Sequence, residues 1–126
     1  MNYLSRLAMI SVAFPILISC KTPITQAGST IQIVSEQDKG CCCESLGIIT
    51  AAHSTGATVS QDLESVYNVL RNQAAAHGAN AIRIIQADTR GDAWHGGTSS
   101  AVAEALKCDF LKLKAIREKQ AQPPSQ

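Results

Sequence analysis

The residues of this 126-residue chain best suited to chemistry are its five cysteines and three histidines. Cys41, Cys42 and Cys43 are consecutive, with Cys20 upstream and Cys108 far downstream. Thiolates are soft ligands that suit zinc or copper(I), so Cys41 and Cys42, followed by His53, are candidate metal or redox residues. There is no Cys-x-x-Cys pair, so neither the common zinc spacing nor the redox motif is present. In an oxidising compartment cysteines are first disulfide candidates. Cys43 begins the second expected strand and Cys108 ends the last, which makes them the expected staple; closing a loop of about 65 residues contributes roughly 4 kcal/mol in the chain-entropy account. Neighbouring side chains on an extended strand point to opposite faces, so three adjacent cysteines cannot all reach Cys108. Cys41 and Cys42 keep several readings: spare or intermolecular thiols, a vicinal disulfide, a soft-metal ligand pair, or thiol–disulfide exchange.

The rest of the reactive inventory is sparse. His53, His77 and His95 are scattered, with no pair at ligand spacing on a helix. Ser99 and Ser100 lie in a Gly-rich stretch without a Gly-x-Ser-x-Gly elbow, and the run Gly91–Gly97 lacks phosphate-loop spacing. With no nucleophile–base pair or carboxylate dyad visible, the expectation is a non-enzymatic protein without a cofactor. Trp94 and His95, in the same stretch, are candidate partner contacts, with core filling as the other use of Trp94. The formal net charge is +1, which leaves no electrostatic footprint for nucleic acid.

The N-terminus sets the compartment. Met1–Arg6 is short and basic, and Leu7–Ile18 is apolar apart from Ser11. That run is about 12 residues long, against the roughly 20 that a membrane-spanning helix needs, so it reads as the core of a cleaved signal peptide. It ends in Leu17-Ile18-Ser19-Cys20, which resembles a bacterial lipobox. The resemblance implies that residues 1–19 are removed and that Cys20 carries a diacylglyceryl thioether and usually an acylated amine. Its acyl chains then hold the chain to membrane lipid, each buried methylene contributing about 0.8 kcal/mol. Lys21 replaces the Asp that resembles an inner-membrane retention signal, so the expected place is the periplasmic side of the outer membrane.

These groups need a scaffold, and the patterns that build one are readable. Aromatics are only 4% of the chain, so the core must come from Ala, Val, Ile and Leu. Lys21–Ser29, with Pro23 and Gly28, reads as a short tether after Cys20. Ile31–Val34 alternates as a strand, Gln37–Gly40 as a turn, and Leu46–Ala52 as a second strand. Ser60–His77 has an N-cap candidate in Ser60 and an apolar stripe of Leu63, Val66, Tyr67, Leu70 and Ala74, and it stops at Gly78. Ala81–Ile85 is a third strand, and Arg90–Ser99 a long hairpin loop. Ser100–Cys108 alternates like a strand but is alanine-rich like a helix. Asp109–Ala121 is an expected helix, with a disordered tail to Gln126. The expected fold is α+β: a small, mainly antiparallel sheet of three to four strands in the order ββαββ, spanning residues 30–108. One main helix covers one face, its stripe meeting Ile31, Ile33, Ile48, Ile82 and Ile84, and a disulfide staples the sheet.

Three stretches carry a family resemblance: Ile31–Gln37, Cys43 with Leu46-Gly47, and Leu70–Ile82 closed by Leu106-Lys107-Cys108. Together they resemble a family of small bacterial lipoproteins described as domain of unknown function 4156. The resemblance implies a pairing of Cys43 with Cys108. Cys41, Cys42 and the extension after Cys108 depart from the family pattern. More distantly, a helix leading into an Ala-Asn-Ala strand between bracketing cysteines is similar to the outer-membrane stress-sensor lipoprotein of the Rcs phosphorelay. That likeness implies a shared fold and, by analogy alone, sensing; the expected role is a membrane-anchored module that binds an envelope protein partner or monitors the envelope.

Overall fold

The computed structural model describes residues 21–54, 58–92 and 96–121. The chain runs α1 (Gln26–Ser29), β1 (Gln32–Ile33), α2 (Glu36–Cys42), β2 (Cys43–His53), α3 (Val59–Ala76), β3 (Ala81–Asp92), β4 (Gly96–Cys108) and α4 (Phe110–Ala121). The four strands form one sheet in the order β1-β3-β4-β2. β4 is antiparallel to both neighbours, and β1 runs parallel to β3. β2 therefore runs parallel to β3 with β4 between them, and α3 supplies the crossover that such strands require. The expected order ββαββ with one main helix does not hold as stated: α1 precedes β1 and α2 separates β1 from β2, while α4 follows β4 where a helix was expected.

α3 follows from its termini and its stripe. Its N-cap is Thr58, whose hydroxyl accepts from Gln61 N at 3.3 Å; Ser60 lies inside the first turn. Its end is a Schellman turn: Gly78, at φ +75°, donates its N–H to Ala75 O, and Ala79 N donates to Ala74 O. Val66, Leu70 and Ala74 are fully buried against Ile31, Ile49, Ile82 and the row Ala101, Ala103 and Ala105 of β4. The small side chains on β4 let the helix sit close to the sheet, so the alanine-rich segment that suggested a helix is a strand under one.

Two residues assigned to this core lie outside it, Ile48 being 59% and Ile33 47% exposed. Gly47, at φ +132°, forms a bulge in which the pairing steps from Ser45–Leu106 to Gly47–Ala105. The extra residue shifts the strand's phase by one, so Ile49 faces the helix instead of Ile48. β1 is only two residues long, and Ile31 and Val34 on either side of it take the buried positions.

The second face of the sheet is covered at one end, where a single-helix fold would leave it bare. Gln37–Gly40 is helical as part of α2, whose Ser35 and Asp38 form a capping box: Asp38 N donates to Ser35 Oγ and Ser35 N to Asp38 Oδ2. Asp109 Oδ1 accepts from the backbone of Leu111 and Lys112 to start α4. Between these helices and the sheet lie Val34, Ala81, Leu106, Cys108 and Phe110.

The expected long loop at Arg90–Ser99 is mostly strand. β3 continues to Asp92 and β4 begins at Gly96, with Arg90 opposite Thr98 and Gly91 opposite Gly97. The glycines that suggested a loop serve close approach, since a Cβ on Gly97 would collide with Arg90 O.

Candidate functional site

The segment expected to be a loose tether is bound along α3. Thr22 N donates to Ser65 Oγ (3.2 Å), and Asn68 Nδ2 donates to Thr22 O (2.9 Å). Asn72 Nδ2 donates to Pro23 O (3.2 Å), while its Oδ1 accepts from both Thr25 N and Thr25 Oγ1 (2.9 Å each). Thr25 Oγ1 in turn accepts from Gly28 N and starts α1. Gly28 is buried so near Asn72 that a Cβ would overlap the amide oxygen. Lys21 Nζ reaches Glu64 Oε1 at 2.5 Å. Ser65, Asn68 and Asn72 thus form a polar ladder on one side of α3, with Ser65 fully buried and Asn68 nearly so. Backbone groups that would otherwise need water are satisfied by side chains. The signal in the sequence is the spacing Ser-x-x-Asn-x-x-x-Asn, which keeps three polar groups on one helical face.

The thiols divide into two pairs. Cys43 and Cys108 are directly opposite in the β2–β4 register, with Sγ–Sγ 2.01 Å. Cys41 and Cys42, at the C-terminal end of α2, bring their sulfurs to 2.05 Å. Asn80 holds the Cys108 end: its Oδ1 accepts from Cys108 N (2.7 Å) and its Nδ2 donates to Cys108 O (2.9 Å). His53 does not join Cys41 and Cys42. It ends β2, about 30 Å away at the strand rise of some 3.3 Å per residue. Among the described residues no group of three or more His, Cys, Asp or Glu side chains could hold a metal ion.

His53 instead joins a buried polar cluster. Its Nδ1 lies 2.7 Å from Oδ1 of the fully buried Asp62, and its cross-strand neighbour is Ser99. Serine, histidine and aspartate are the residue types of an acyl-transfer triad. Here, however, Ser99 is fully buried and its Oγ lies 3.5 Å from Val59 O, within donating distance. The cluster ties β2 and β4 to the first turn of α3.

A second charged cluster fastens α2 to the sheet. Glu104 accepts from Lys39 Nζ (2.8 Å), Arg83 Nη2 (2.9 Å) and Ser45 Oγ (2.5 Å), and its side chain is only 7% exposed. Arg83 also reaches Glu36. The hydrogen bonds from Lys39 and Ser45, aided by Arg83, hold the Glu104 carboxyl down from 4.5 to about 2, against the opposing effect of burial. Asp38 is lowered to about 2 as well, by the Arg117 guanidinium and the Ser35 backbone N–H.

A family model for a domain of unknown function, DUF4156, matches residues 22–108. The chain belongs to that family. No curated protein and no solved structure matches it. The matched span begins at Thr22, the first backbone unit gripped by α3, and ends at Cys108, the partner of Cys43. The bound segment is therefore part of the DUF4156 domain, whereas α4 lies beyond it. Cys20, Trp94 and His95, together with the expected signal at 1–19 and tail at 122–126, lie outside the described residues. Among the described residues no helix is long and apolar enough to cross a membrane.

Proposed function

We propose that this DUF4156 protein is a lipid-anchored component of the bacterial envelope, held on the periplasmic side of the outer membrane through acyl chains on Cys20. Its domain is a non-enzymatic module that binds an envelope protein or monitors the envelope. The observation that carries this reading is Leu17-Ile18-Ser19-Cys20 at the end of an apolar run, two residues before the family domain begins at Thr22. The four remaining cysteines support it, because both of their pairs stand at disulfide distance and such bonds persist in oxidising compartments. The partner-facing residues in this reading are Trp94 and His95. The likeness to the Rcs stress-sensor lipoprotein favours monitoring, by analogy of fold only.

Palmitate labelling with density-gradient fractionation tests the anchor. Label should appear in the outer-membrane fraction and vanish in Cys20→Ala; label confined to the inner membrane refutes the assigned leaflet, and no label refutes the anchor. Photo-cross-linking from position 94 in cells tests the binding role, and failure to capture a discrete envelope protein argues against it.

A second reading makes the domain a redox-responsive thiol module. The adjacency of Cys41 and Cys42 at disulfide distance favours it. A dithiol reductant would convert that pair to two thiols as the reductant becomes a disulfide. A Cys41→Ser/Cys42→Ser protein that retains full function in cells refutes it.

A further inference from the structure

We infer that the Lys21–Ser29 segment is a clamp that seats the domain directly on the lipid bilayer, with the N-terminal half of α3 near the headgroups and the Cys43–Cys108 end turned away. The inference rests on the lipid-anchor reading of Cys20. Its independent basis is the length of chain between the anchor and the first fixed residue. Lys21 is paired with Glu64, and Thr22 is held by Ser65 and Asn68. Only two peptide units, about 7 Å between Cα atoms, therefore separate Cys20 from Thr22, the first residue held through its backbone. Left loose, the nine residues Lys21–Ser29 would let the domain drift as far as roughly 30 Å from the surface. Three polar side chains on α3 and the Gly28–Asn72 contact remove that freedom.

The direction of the clamp sets the orientation. Thr22 meets Ser65 and Asn68, Thr25 meets Asn72, and Gln32 N donates to Asn80 O just past the end of the helix. The clamp thus runs parallel to α3 and away from the anchor. From Glu64 to Gly78 the helix climbs about 20 Å at 1.5 Å per residue. The shallow cleft beside the anchor, lined by Lys21, Thr22, Ile24, Glu64 and Arg71, faces the headgroup region. Gly78 and Lys107 stand exposed at the opposite end, beside the largely buried Cys43–Cys108 pair, and face a soluble-side partner.

The test uses the full mature lipoprotein in vesicles of phosphatidylethanolamine and phosphatidylglycerol doped with a nitroxide-headgroup lipid. A small fluorescent amino acid is placed either at Ser60 or at Lys107, both exposed. Quenching at Ser60 should exceed that at Lys107 several-fold. Inserting about ten Gly/Ser residues between Cys20 and Lys21, a coil of roughly 17 Å mean span, should abolish the difference while leaving lipidation and circular dichroism unchanged. Breaking the ladder with Asn68→Ala/Asn72→Ala should reduce the difference in the same way. Palmitate on the protein with equal quenching at the two sites overturns the seating alone; absence of palmitate overturns the anchor and the seating together.

Discussion

Replacing Glu104 by Gln probes how the second layer is held, and its effect can be worked from the site. Glu104 is nearly buried and receives two cations and a hydroxyl, from α2, β2 and β3. A carboxyl lowered from 4.5 to about 2 favours its charged form in the fold by roughly 3 kcal/mol, at about 1.4 kcal/mol per tenfold. Gln keeps hydrogen-bonding capacity but not charge, and Lys39 and Arg83 retain some access to water, so the expected loss at pH 7 is about 2–3 kcal/mol. For a domain of this size that lowers the melting temperature by roughly 10–20 °C. The sign of the pH dependence follows from the direction of the shift. A carboxyl more acidic in the fold than in the unfolded chain contributes fully above pH 4.5, and its contribution fades as pH falls through about 2. Urea denaturation followed by circular dichroism at pH 7, 4.5, 3 and 2 should show the two proteins converging toward the acid end. Equal stability at pH 7, or a deficit that persists unchanged to pH 2, would refute the assigned role.

Other substitutions separate the remaining forces. Asp38→Asn should cost under about 1 kcal/mol in the same assay, because Arg117, though bonded at 2.7 Å, is 59% exposed and screened; a loss as large as that of Glu104→Gln would contradict this. Leu70→Ala should leave a cavity at the centre of the α3 face and cost about 2–5 kcal/mol; an unchanged melting temperature rules out that packing. Cys43→Ser should cost about 4 kcal/mol under oxidising conditions, whereas Cys41→Ser/Cys42→Ser should barely change the melting temperature, and equal losses would refute the pairing. Gly97→Ala should strip amide-exchange protection from Arg90 and its cross-strand neighbour Thr98, because the new methyl meets a backbone carbonyl; retained protection would contradict the close approach.

What the sequence disclosed follows the range of the interactions involved. α3 was readable because its stripe and its Gly78 stop act within a few residues. The placement of the Cys43–Cys108 pair also matches the reading, since strand ends are fixed by the same local alternation. The phase of β2 was not readable, because one bulged residue at Gly47 reverses which isoleucine faces inward. The alanine run of β4 is strand because the sheet beneath α3 needs small side chains there, and propensity alone does not report that need. α2 had a visible start in Ser35 and Asp38, but Gly40 and its short length masked it. The polar ladder of Ser65, Asn68 and Asn72 was hidden for another reason. A polar residue on a helix looks solvated until its partner is known, and these partners are backbone groups more than 40 residues away.

The bulge at Gly47 also bears on how copies of the chain meet one another. β2 is an outer strand of the sheet, eleven residues long, with Leu46 and Ile48 exposed. A flat strand of that kind is a template on which a second copy can zip. The kink divides this edge into a three-residue stretch, Cys43–Ser45, and a longer one from Gly47 to His53. The glycine that adjusts the inner packing therefore also shortens the regular edge on which a second copy could pair.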